Sequence, residues 1–131
     1  LDSNVFISAI MFGGVPLKIV DRLFQRDFSH VTGPNILREV RSNLVLKFDL
    51  NSSRVNRLIS DIVSVSSVIT PGGNLKAIAY GADNLVLELC LMGGCDILVT
   101  GDKKHLLPLN PFQGVVIEPP SQFLKRLDQH S

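Results

Sequence analysis

Apolar residues recur in short blocks along this chain, and their spacing switches between helical and continuous. The block Val5 to Phe12 is apolar apart from Ser8 and predicts a helix starting just after Asp2, with Ser3 or Asn4 near its cap. Gly13-Gly14 ends it. Pro16 suits the first turn of a second helix, Leu17 to Phe24, whose Ile19, Val20, Leu23 and Phe24 form a stripe. His30-Val31-Thr32 is a short strand candidate. Gly33-Pro34-Asn35 turns into a helix carrying Ile36, Leu37, Val40 and Leu44. After the loop from Asp49 to Ser53, Val55, Leu58, Ile59 and Ile62 fall at helical spacing and predict a helix from Arg54 to Ile62.

Val65 to Ile69 reads as a strand stopped by Pro71-Gly72-Gly73, while Asn74 to Ala82 shows no period. Asp83 is expected to cap the next helix, with Leu87, Cys90 and Leu91 on its buried side and Gly93-Gly94 at its end. Ile97 to Thr100 reads as a continuously buried strand, followed at once by Gly101-Asp102. A short helical turn from Lys103 to Leu107, a strand from Val115 to Ile117 and a helix from Gln122 to Leu127 complete the pattern. Strands alternate with helices, and the most apolar strands lack period-two alternation. The expected fold is therefore α/β, a three-layer α/β/α sandwich around a central parallel sheet. The helix after Asp2 needs a strand ahead of it. Residues 1–131 are thus expected to form one domain lacking a few N-terminal residues of its first strand.

Composition narrows the function classes. Hydrophobic residues make up 45% of 131 positions and mean hydropathy is +0.27, which argues against disorder. The apolar runs are too short and broken to span a bilayer, and the start lacks a secretory leader pattern, so a cytoplasmic protein is expected. A net charge of +1 neither demands nor excludes nucleic acid. Cys90 and Cys95 read as buried thiols in a reducing compartment.

The candidate chemistry is acidic. Ligands of open parallel sheets bind outside the carboxyl ends of strands. Asp2 and Asp102 lie at two such ends, Glu39 sits in the third helix, and Asp83 starts a later one. Crowded carboxylates repel, and a hard cation with oxygen ligands relieves the repulsion. Such a site can activate water and polarise a phosphodiester. No His/Cys cluster has zinc spacing. Each acid alone has a plainer reading: Asp2 and Asp83 as helix caps, Glu39 as a solvated neighbour of Arg38 and Arg41, Asp102 as a turn residue. The pattern alone also leaves open a phosphatase with an aspartyl nucleophile.

The residues further resemble PIN-domain proteins, in particular the toxin components of bacterial toxin–antitoxin pairs. The likeness runs through LDSNVFISAIMFGG, PNILREV, ADNLVLELCLMGGCDILVTGDKKHLL and VVIEPPSQFL. In that resemblance Asp2, Glu39, Asp83 and Asp102 match the four family acids. It implies a site for Mg²⁺ or Mn²⁺, hydrolysis of single-stranded RNA, a homodimer, and a small antitoxin partner. It makes Asp2, Asp83 and Asp102 the ligands, with Glu39 a ligand directly or through water. Ser3, Asn4 and Thr100 would orient carboxylates or water. Two departures stand out. Relatives commonly carry Arg-Asp-Pro-Asp-Asp where this chain reads Ala79-Tyr80-Gly81-Ala82-Asp83, and His105 stands where many have another acid. A catalytically weak binding domain of the same fold, and a small-molecule phosphohydrolase, are the alternatives.

For nucleic acid, Lys103, Lys104 and His105 are the candidate phosphate contacts, against a plain solvated basic turn. Tyr80 could stack on a base or pack on the Gly72-Gly73 loop.

Overall fold

The computed structural model describes residues 1–130. The elements run α1 (Ser3–Phe12), α2 (Gly14–Phe24), β1 (His30–Thr32), α3 (Pro34–Ser42), α4 (Ser52–Ser64), β2 (Ser66–Val68), α5 (Gly81–Met92), β3 (Ile97–Val99), β4 (Val116–Glu118) and α6 (Pro120–Gln129). A wider π-helical turn, Asn43–Lys47, extends α3, and a 3₁₀ turn, Leu107–Leu109, precedes β4. Every expected element is present. The starts of α2 and α5 each lie three residues before the expected position.

Local chemistry explains several boundaries. Gly13 and Gly14 take φ of +70° and +64°, a left-handed pair that side chains disfavour, and the chain there bends by 110° from α1 into α2. Among the described residues no single helix is long and apolar enough to cross a membrane. Asn51 caps α4, its Oδ1 accepting from the N–H groups of Ser53 and Arg54 at 2.9 and 3.2 Å. Gly33, between β1 and α3, is a close approach: a Cβ there would lie 2.5 Å from the Ile69 carbonyl oxygen.

The strands are parallel, as expected, in a mixed α/β arrangement consistent with the PIN-like sandwich. They form two pairs, however, not one continuous ladder: β1 with β2 and β3 with β4. Leu1 and Asp2 run beside β3, where the Asp2 N–H donates to the Val99 carbonyl at 2.9 Å. A cavity of about 360 Å³ continues between β1 and β3, lined in part by Leu1, His30, Cys90, Cys95 and Ile97. The core is formed by side chains from every layer, including Phe6, Leu23, Leu44, Ile62, Leu87, Leu98 and Ile117, each at most 2% exposed. Truncating one of them, such as Leu23→Ala, would cost about 2–5 kcal/mol. Cys90 is buried and Cys95 half-buried, both as free thiols. Burial holds the His30 imidazole far below its usual range, at about 2, with its Nδ1 2.7 Å from Ser66 Oγ.

Candidate metal centre

Asp2 is itself the cap of α1. Its Oδ1 accepts from the Ser3 N–H at 2.8 Å, so the structure moves the cap one or two residues upstream of the expected Ser3 or Asn4. The positive helix end and the β3 backbone together fix this carboxylate at the carboxyl edge of the sheet, 7% exposed. Its other oxygen, Oδ2, accepts from the Thr100 hydroxyl at 2.7 Å and the Asn4 amide at 3.2 Å.

Thr100 is the hub of this edge. It follows β3 directly, is fully buried, and its N–H donates to the Glu118 carbonyl at the end of β4. Besides donating to Asp2, its Oγ1 accepts from the Asp102 N–H at 3.1 Å. Asn4 Oδ1 accepts from the Gly101 N–H at 3.1 Å, tying α1 to the loop after β3. Asp102 Oδ1 in turn accepts from the backbone N–H groups of Lys104 and His105 at 3.0 and 3.1 Å. That closes the turn and leaves Oδ2 facing the His105 imidazole, 3.4 Å from Nδ1.

The remaining acids arrive from two helices. Glu39, on α3 and exposed, accepts from the Ser3 hydroxyl at 2.9 Å, so Ser3 joins it to Asp2. Arg41 does not pair with it but turns to Asn56 Oδ1 at 2.8 Å. Asp83 lies in the first turn of α5, and the cap position belongs to Tyr80, which corrects the expectation that Asp83 caps this helix. Asp83 Oδ2 lies 3.5 Å from His105 Nδ1. Asp83, Asp102 and His105 each offer a ligand atom, all within 4.8 Å of one another. Burial, then the charges of Asp102 and Asp2, push the Asp83 carboxyl above its usual range; Glu39 adds a smaller push and His105 opposes it.

Sequence reasoning missed two residues here. Asn84 Oδ1 accepts from the N–H groups of Ala77 and Ile78 at 3.0 and 3.1 Å, while its amide donates to the Ile78 carbonyl at 2.7 Å. One turn later, Glu88 accepts from the N–H groups of Gly73 and Asn74 at 2.7 and 3.0 Å. Those backbone donors, Gly73 first, hold the Glu88 carboxyl below its usual range. Together they fasten the aperiodic 72–80 loop to α5. The available signal was two polar residues four apart inside an apolar helix face. The loop delivers Tyr80 onto the His105 ring, with centroids 3.8 Å apart and planes at 36°. Tyr80 thus packs on His105.

Residues 1–104 match the family model described as the PIN domain. The chain belongs to the PIN-domain family. It is also 32% identical over 108 residues to an uncharacterized protein of Methanocaldococcus jannaschii, covering 79% of this chain and 69% of that one. PIN domains are generally nucleases that use divalent metals, so membership suggests nuclease activity and nucleic-acid binding. The donor set fits such an ion: the Asp83 and Asp102 carboxylates, from α5 and the loop after β3, converge with His105, and burial followed by the neighbouring charges raises Asp83. The four acids singled out by the resemblance lie on α1's cap, α3, α5 and the loop after β3. In this PIN domain they are linked through Ser3, Thr100 and His105.

Proposed function

We propose that this PIN domain is a metal-dependent endoribonuclease that hydrolyses phosphodiester bonds of single-stranded RNA. The observation that supports the reading is the contact path Glu39–Ser3–Asp2–Thr100–Asp102–His105–Asp83, which links the four candidate acids through hydrogen bonds and the His105 ring. Asp2, Asp83 and Asp102 would hold Mg²⁺ or Mn²⁺, with Glu39 as ligand directly or through water. An ion there supplies charge neutralisation, polarisation of the phosphodiester and a lowered water pKa.

The chain's own groups do the positioning. Thr100 and Asn4 donate to Asp2 Oδ2 and fix its plane, Ser3 orients Glu39, and the Lys104 and His105 N–H groups fix Asp102. Lys103 and Lys104 are exposed directly after Asp102, placed to meet backbone phosphates. None of the four acids lines the 360 Å³ cavity, so the cavity is separate from this chemistry. Beside the altered Ala79 to Ala82 run, Asp83 Oδ2 lies 3.5 Å from His105 Nδ1, which supports catalysis over a binding-only domain.

The toxin role, with a small antitoxin, rests on the sequence resemblance. Exposed apolar side chains such as Phe12 (76%) and Leu46 (82%) support a partner-covered or homodimeric surface. The deciding experiment incubates pure protein with single-stranded RNA and Mn²⁺, alongside EDTA and Asp2→Asn controls. Cleavage abolished by both controls is expected; tight RNA binding without metal-dependent cleavage would sink the nuclease reading.

A further inference from the structure

We infer that His105 is a nitrogen donor of the metal centre, through Nδ1, and that it makes the centre favour first-row transition ions over Mg²⁺. The inference rests on the metal-dependent reading above and adds the donor that sets ion selectivity.

Nδ1 lies between two carboxylate oxygens, 3.4 Å from Asp102 Oδ2 and 3.5 Å from Asp83 Oδ2. An ion seated among the three would meet one nitrogen and two oxygens within the 4.8 Å span that contains them. The ring is held there from two sides. Its own backbone N–H donates to Asp102 Oδ1, which fixes the turn, and Tyr80 stacks on its face from the cap of α5. The same first turn of α5 carries Asp83, so one helix start brings both a ligand and the support for another. Asp102 commits Oδ1 to two backbone donors and leaves Oδ2 on the imidazole side.

The chemistry follows from the donor type. Mg²⁺ takes oxygen ligands and holds its waters, whereas affinity of mixed nitrogen and oxygen sites rises from Mn²⁺ through Co²⁺ to Ni²⁺. An imidazole in the set therefore stabilises transition ions and does little for Mg²⁺. The geometry also separates His105 from its neighbours. Lys103 and Lys104 are exposed and face solvent, while the half-buried His105 turns its Nδ1 to the carboxylates. The phosphate contacts then fall to the two lysines.

The full chain would be titrated calorimetrically with Co²⁺, Mn²⁺ and Mg²⁺, and the Mn²⁺ complex examined by pulsed electron paramagnetic resonance for directly bound nitrogen. Expected are binding in the order Co²⁺, Mn²⁺, Mg²⁺ and a nitrogen coupling in the wild type. The coupling should vanish in His105→Asn, with about tenfold or more weaker Co²⁺ binding and Mg²⁺ affinity within about twofold. His105→Asp should strengthen Mg²⁺ binding above that of the wild type while weakening Co²⁺ binding. Ion binding that depends on Asp83 and Asp102 but shows no nitrogen coupling, or an equal loss for all three ions, would overturn the role of His105 alone. No binding of any ion, or binding indifferent to Asp102→Asn, would overturn the metal centre itself.

Discussion

The two halves of the acidic edge are built differently. The Asp2–Thr100 half is interior: Asp2 is 7% exposed and Thr100 fully buried, and each is fixed by backbone hydrogen bonds to β3 or β4. The Asp83–His105 half is partly open, with side chains 21% and 31% exposed, held by a contact between the two and by a loop fastened to α5. The difference teaches a division of labour. The buried half sets where the carboxylates converge, because moving it would disturb the core. The open half rests on side-chain contacts, Tyr80 on His105 and His105 on Asp83.

The largest effect should come from breaking the buried half at its charge. Asp2→Asn keeps an oxygen to accept from Ser3 but removes the negative charge, so RNA cleavage with Mn²⁺ should fall by about 10³-fold, several kcal/mol of charge stabilisation. The folded state should persist, as judged by circular dichroism. Asn4→Ala should cost much less, since Asn4 orients Asp2 without being needed as a charge.

Acid should undermine the same half through its foundations. His30 is held neutral in the core, its pKa pushed down to about 2 chiefly by burial. The unfolded chain protonates near 6.5, so it binds the proton before the folded state does. Stability is complete above that pH and is lost as pH falls below it, by about 1.4 kcal/mol per unit. Urea unfolding at pH 7 and pH 5 should therefore differ by about 2 kcal/mol from this residue; equal midpoints would count against a buried neutral His30.

The open half should break more gently. Asn84→Ala strands two backbone donors and should cost about 1–2 kcal/mol, read from the urea midpoint, together with faster amide exchange confined to the 72–80 loop. Smallest is Tyr80→Ala. Tyr80 is 52% exposed, so stability should stay within about 0.5 kcal/mol while cleavage falls several-fold through the loosened imidazole. A stability loss there as large as that of Asn84→Ala would erase the distinction between the halves.

How much was legible in the sequence depended on whether a signal was local. His30 to Thr32 was read residue for residue, since the β-branched Val31 and Thr32 stand directly before the Gly33-Pro34 breaker. The apolar spacing of α4 and the buried run of β3 were equally plain. The cap of α5 was misplaced because Asp83 is a good capping residue by type, while the backbone turns earlier at Tyr80. Asn84 and Glu88 passed unnoticed because their partners are backbone groups of an aperiodic loop, which no side-chain pattern marks.

By itself the sequence determined the order of strands and helices, because periodicity and residue type act over a few neighbours. Tertiary structure decided the rest. It made Thr100 a hub and turned His105 from the basic surface toward Asp83 and Asp102. Those outcomes depend on residues brought together from distant positions, such as Asp2 and Thr100, 98 apart in sequence. Such contacts form only when burial of the core fixes the elements against one another.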